Sequence, residues 1–161
     1  MDQTFGGIAD YLPPARQLPH SVEAEMAILG AIMLDNQAYH RVSDFLQPAH
    51  FATREHQRLY SICRSLIEAG GIADPITVRA HVENTGALTS LGGTAYLLRL
   101  ADAAVTVINA GEYGRLVYDL HIRRELIAAG TEIVNRAYVT DLDDVTAVSY
   151  THLRAHETGR N

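Results

Sequence analysis

The sequence predicts an all-α protein. Apolar residues recur at helical spacing in several separate segments. Those segments are bounded by capping residues and by Gly or Pro stops. No pair of alternating apolar runs is joined by a tight turn of the hairpin type.

A first helix begins at Ser21, a good N-cap, with Glu23 and Glu25 in the first turn where the helix dipole favours negative charge. Val22, Met26, Leu29 and Met33 repeat at helical spacing, joined by Ile28 and Ile32, until Asp35 and Asn36. Ala24, Ala27, Gly30 and Ala31 are small enough for another helix to approach closely. Glycine inside a helix costs about 1 kcal/mol relative to alanine, so Gly30 implies a packing reason. A second helix is expected over 37–46, burying Val42, Phe45 and Leu46 and ended by Pro48. Thr53 caps a third over 54–69, with a buried stripe of Leu59, Ile62 and Leu66, flanked by Tyr60, Cys63 and Ile67. Gly70-Gly71 stops it. Asp74-Pro75 opens a fourth helix and Gly86 closes it. A Gly-Gly turn leads into a fifth from about Ala95. The longest periodic stretch covers 109–138, where Gly111, Gly114 and Gly130 predict a kink or break.

The 161 residues suffice for one domain with a core. A content of 47% hydrophobic and 20% charged residues fits a globular chain. The single cysteine, Cys63, excludes an internal disulfide, fits a reducing compartment, and reads as a buried inert thiol. No apolar run approaches the roughly 18 residues that span a bilayer. The opening residues lack the basic flank and apolar core of a secretory leader. A cytoplasmic location without membrane contact is therefore expected.

All 13 basic residues are arginine. A phosphate-cradling GxxxxGK[ST] loop needs a lysine, so none exists in these residues. The net charge of −6 and the dispersed arginines argue against direct grip on duplex DNA. His20, His40, His50, His56, His81 and His121 are scattered without a persuasive metal spacing, and His50 and His56 read as solvated. No catalytic, cofactor or metal site is assigned. Glu23 and Glu25 suit the dipole role better than acid–base work.

Residues 148–161, VSYTHLRAHETGRN, stand apart. The run VSYTHLRAHET resembles the translation of a transposase adapter used in sequencing libraries. The expectation is that 1–147 is authentic and 148–161 is not native; the competing reading is a metal pair from His152 and His156 beside Glu157.

Five landmarks follow in order: LPHSVEAEMAILGAIMLD, QPAHF, ADPITVRAHVENTGAL, LGGTAYLLRLADA and YGRLVYDLHIRRELIAAGTEI. In this order they resemble the N-terminal domain of bacterial replicative DNA helicases of the DnaB family. Gly111 and Gly114 depart from the family's pattern, which has better helix formers there. The resemblance implies a flexible arm over 1–19, a compact helical domain over 20–106, and the first helix of a helical hairpin with the start of its return over 107–147. It also implies that the returning helix, a linker and a RecA-like ATPase that uses ATP and Mg belong to the parent protein. Such domains pair with neighbouring copies toward a hexameric ring and receive primase and, in some bacteria, a loader. DNA contact is then left to the ATPase half.

The candidate subunit or partner interface is Tyr113, Leu116, Val117, Leu120, Arg123, Arg124 and Ile127. The apolar members form a ridge that either a second subunit or the chain's own core must cover. Arg123 and Arg124 either meet a partner's carboxylates or pair locally, as Arg123 would with Asp119 at i, i+4. Without its antiparallel partner, the helix over 113–138 is expected to expose apolar surface and fray. Two other readings are a stand-alone helical DNA-binding regulator and a small helical enzyme using a histidine–carboxylate pair.

Overall fold

A computed structural model describes residues 17–86, 88–104 and 109–138, without the side chains of residues 85 and 90. Six α-helices are present among them: α1 Val22–Leu34, α2 Gln37–His40, α3 Arg54–Glu68, α4 Pro75–Thr85, α5 Ala95–Ala103 and α6 Ala110–Ala137. No strand occurs among the described residues, so the all-α expectation holds.

The predicted start signals work as capping chemistry. Ser21 Oγ accepts the Ala24 amide of α1 at 3.2 Å, and Thr53 Oγ1 accepts the His56 amide of α3 at 3.2 Å. Asp74 Oδ1 accepts from the Ile76 and Thr77 amides, and Thr77 Oγ1 accepts from the Asp74 amide, closing a reciprocal cap on α4. Gly86 ends α4 in the left-handed region at φ 62°, where a Cβ would be strained.

Helix α1 is the centre of the domain. It packs against α2, α3, α5 and α6 and is buried on nearly all sides, with Ile28, Leu29 and Ile32 fully enclosed. Each such side chain contributes roughly 1.5–3 kcal/mol of transfer free energy. Gly30 supplies the predicted close approach: a Cβ there would overlap the Leu100 carbonyl of α5. Tyr60, Phe51, Leu59 and Leu46 complete the core on the α3 side.

Three expectations are corrected. Helix α2 ends at His40 rather than Leu46, because residues 41–46 mix bonds to the third and fourth preceding carbonyls. Val42 and Leu46 are nonetheless buried, while Pro48 opens a short 3-10 turn, Pro48–His50, rather than ending a helix. The buried face of α3 is His56, Leu59, Tyr60 and Cys63, and Ile62, Leu66 and Ile67 are only partly covered. Helix α6 runs unbroken through Gly111, Gly114 and Gly130. Gly114 is a packing residue: a Cβ would come within 2.6 Å of Val42 Cγ1. Residues 1–16 of the arm expected over 1–19, the expected start of the return over 139–147, and the tail over 148–161 with its adapter and metal readings lie outside the described residues.

Candidate functional site

Helix α6 is 28 residues long, about 42 Å at the α-helical rise. Its first half is built into the body. Ala110 and Val117 are buried against the core, Tyr113 and Tyr118 pack beside them, and Gly114 seats the helix on Val42 and Phe45. Beyond Arg124 the helix is almost wholly exposed.

This divides the predicted ridge. Val117 is 1% exposed and belongs to the chain's own core, and Tyr113 packs half-buried beside it. The sequence placed them with the exposed residues because all repeat at helical spacing, yet they lie on the flank turned toward α1. Leu116, Arg123 and Ile127 are exposed and Leu120 is half-buried. Arg123 does not pair with Asp119 among the described residues. Arg124 does not point outward to a partner's carboxylate. Its guanidinium donates to the Pro19 carbonyl at 2.9 Å and to the His50 carbonyl at 2.6 Å. One planar fork thus ties α6 to two other segments, which a point-charge lysine would do poorly.

The outer surface of α6 carries two apolar lines. Leu116, Ile127, Val134 and Tyr138 form one. Ile122, Leu126 and Ile133 form the other, rotated by roughly a third of a turn. Leu126 is 67% and Tyr138 82% exposed. A shallow groove beside the first line is lined by Leu18, Arg124, Ile127, Ala128 and Thr131. These exposed apolar residues extend further along α6 than the sequence placed the ridge.

A buried polar group was missed altogether. Glu25 is 2% exposed and His56 1%, against the expectation that Glu25 serves the helix dipole and that His56 is solvated. Glu25 Oε1 accepts the Ala52 amide at 2.7 Å and Oε2 meets His56 Nδ1 at 2.6 Å. His56 Nε2 meets the Tyr96 hydroxyl at 2.7 Å. With Glu25 as a carboxylate, His56 Nδ1–H donates to it, which leaves Nε2 to share the second hydrogen bond with the Tyr96 hydroxyl. Arg99 caps the Tyr96 ring at 4.8 Å. The network joins α1, α3 and α5 and is closed to substrate, so it positions helices. No local pattern announces it, because its members are 31 and 40 residues apart.

Cys63 is fully buried, and desolvation pushes its thiol up to about 12, keeping it protonated and unreactive. Tyr39 donates to Glu68 Oε1 at 2.7 Å, and burial, with that bond and the Glu68 charge, pushes its hydroxyl up to about 12. Among the described residues no three histidines, cysteines or carboxylates gather as metal ligands. No helix among them is long and apolar enough to cross a membrane.

Known proteins place this architecture. The family described as DnaB-like helicase N terminal domain matches residues 17–119. The replicative DNA helicase DnaB of Rickettsia conorii is 40% identical over 134 residues, covering 83% of this chain and 27% of the relative. That of Rickettsia bellii is 41% identical over 129 residues, covering 80% and 26%. The chain thus spans about a quarter of the length of these relatives. The crystal structure of the N-terminal domain of DnaB helicase from Mycobacterium tuberculosis superposes with a TM-score of 0.78 at 31% identity, covering 86% of this chain and 99% of that one. A second solved structure, of a DnaB-like replicative helicase and its interactions with primase, shares the fold at a TM-score of 0.62 and 22% identity, over 83% of this chain and 35% of that one. A capped, glycine-packed helical body with a long emergent helix, matched over most of its length by that family, belongs to the DnaB-like helicase N-terminal domain family.

Proposed function

We propose that this chain is the assembly and docking domain of a replicative DNA helicase. In this reading it pairs with a second copy as a step toward a hexameric ring, and it receives primase or a loader. ATP and Mg serve an ATPase domain of the parent protein, which also handles DNA, and the protein works in the cytoplasm. Residues 20–106 form the body and 107–147 the outgoing helix and the start of its return.

The observation that carries the reading is the uncovered apolar surface on an otherwise well-built domain. Among the described residues nothing buries Leu126, Ile133 and Val134, and with Ile122, Ile127 and Tyr138 they follow one another along a single helix, whereas the bare apolar side chains of the body, such as Leu34, Ile72 and Ile76, are spread over different segments. Contiguous exposed apolar surface on a folded domain marks an interaction site. Of the residues nominated from sequence, Leu116, Leu120, Arg123 and Ile127 remain interface candidates. Val117 and Arg124 act within the subunit, and half-buried Tyr113 stays a candidate through its open side. Family membership supports the helicase role, and one solved family structure concerns interactions with primase.

Light scattering on the whole chain over a concentration series tests it. The expected result is reversible self-association that Leu126→Glu with Ile133→Glu abolishes without altering the helical spectrum. A monomer at every concentration, together with no complex on adding primase, overturns it. A steep salt-dependent affinity for duplex DNA would instead favour a DNA-binding regulator.

A further inference from the structure

We propose that the turn Pro48–His50 and the α6 face bearing Tyr118, His121 and Arg124 form a pH-sensitive joint, in which neutral His50 fixes α6 against the body and its protonation loosens that attachment. His50 Nδ1 accepts the Gln47 amide at 3.0 Å, so this nitrogen must carry a lone pair. Protonation at Nδ1 would set two donors face to face and break the bond that closes the turn.

No carboxylate among the described residues pairs with half-buried His50. The His50 ring stacks on His121 at 4.4 Å and meets the Tyr118 edge at 5.1 Å. Arg124 is anchored on the His50 carbonyl itself. From α3, Arg64 holds the Gln47 side chain at 2.7 Å. Glu25 of α1 reaches the same segment but is committed to the Ala52 amide and to His56. The fixed charges nearest this turn are therefore the cationic Arg64 and Arg124. Burial foremost, then His121 and Arg124, lowers the His50 pKa from its ordinary 6.5.

The sign follows by linkage. A histidine whose folded pKa is lowered binds fewer protons folded than unfolded near that pH. Its contribution is present above the ordinary value and is lost as pH falls through the lowered one. Because His121 stacks on His50 and Arg124 holds the His50 carbonyl, with its second bond going to the Pro19 carbonyl, the loss falls on the attachment of α6 rather than on the α1 core. The joint would set how firmly the long helix is aimed by the body.

The test is amide exchange on the whole chain, corrected for intrinsic rates, at several values between about pH 7.5 and about pH 5. Amides of 113–124 should exchange at least about tenfold faster at the acid end relative to those of α1. His50→Asn keeps an acceptor near the Nδ1 position but does not titrate, and should lose this selective response. His121→Phe keeps the stack and removes a competing charge, so the midpoint should move to higher pH. No selective acceleration in the unaltered protein, or a full response in His50→Asn, overturns the joint. So does an unmoved midpoint in His121→Phe, which remains informative if the first variant fails to fold.

Discussion

Helix α1 and the outer half of α6 are both rich in apolar residues, yet they are held in opposite ways. Helix α1 is 13 residues long, and an isolated helix of that length is marginal in water. It persists because α2, α3, α5 and α6 bury it, and even its Glu25 is enclosed with every oxygen paired. Among the described residues the outer half of α6 has no such cover. It relies on its own backbone ladder and on exposed pairs such as Arg136 with Glu132, worth a few tenths of a kcal/mol. The difference teaches that apolar content does not decide where stability lies. Surrounding density does, and apolar residues without it are available for another surface.

The comparison breaks first at Gly30. Gly30→Val should destabilise by about 3 kcal/mol or more, since the clash is with a backbone carbonyl that moves only if α1 and α5 separate. Urea unfolding measures this; a cost below about 1 kcal/mol would mean that the crossing is looser than described. Glu25→Ala comes next, at about 2–3 kcal/mol, because it strands the Ala52 amide and the His56 Nδ1–H in the interior. If Glu25→Ala proved neutral in the same unfolding series, the buried network would not hold the three helices together.

Asp74→Ala should cost about 1 kcal/mol as a lost cap. The Thr77 amide, foremost, holds the Asp74 carboxyl below its ordinary 3.8. A lowered carboxylate stabilises above its unfolded pKa, and that contribution is lost as pH falls through the folded one. The variant should therefore show a shallower loss of stability below about pH 4 than the parent. The smallest effect belongs to outer α6. Val134→Ser in dilute, monomeric protein should change unfolding by no more than about 0.5 kcal/mol. A larger change would show that this surface is already covered within one chain.

Much of the fold is legible in the sequence because the signals are local. Ser21, Thr53 and Asp74 cap helices through amides two or three residues away, and Gly86 needs only its own φ. Gly30 was readable as a close approach, although not its partner Leu100. The interface was only half legible. Helical spacing groups Tyr113, Val117 and Ile127 without saying which flank meets α1, and length alone does not tell where α6 leaves the body. The reading of 37–46 as one helix failed because mixed hydrogen-bond registers carry no residue-level mark.

The sequence by itself determined the helices, most of their ends, the absence of a lysine-dependent phosphate loop, and the resemblance that fixed the family. These rest on neighbours within a few residues or on composition. The tertiary structure alone decided that Glu25 is buried against His56 and Tyr96, that Arg124 is an internal tie, that Val117 is core, and that Gly114 is a seat for Val42. Each of these depends on which segments meet across tens of residues, a property of packing that no local pattern encodes.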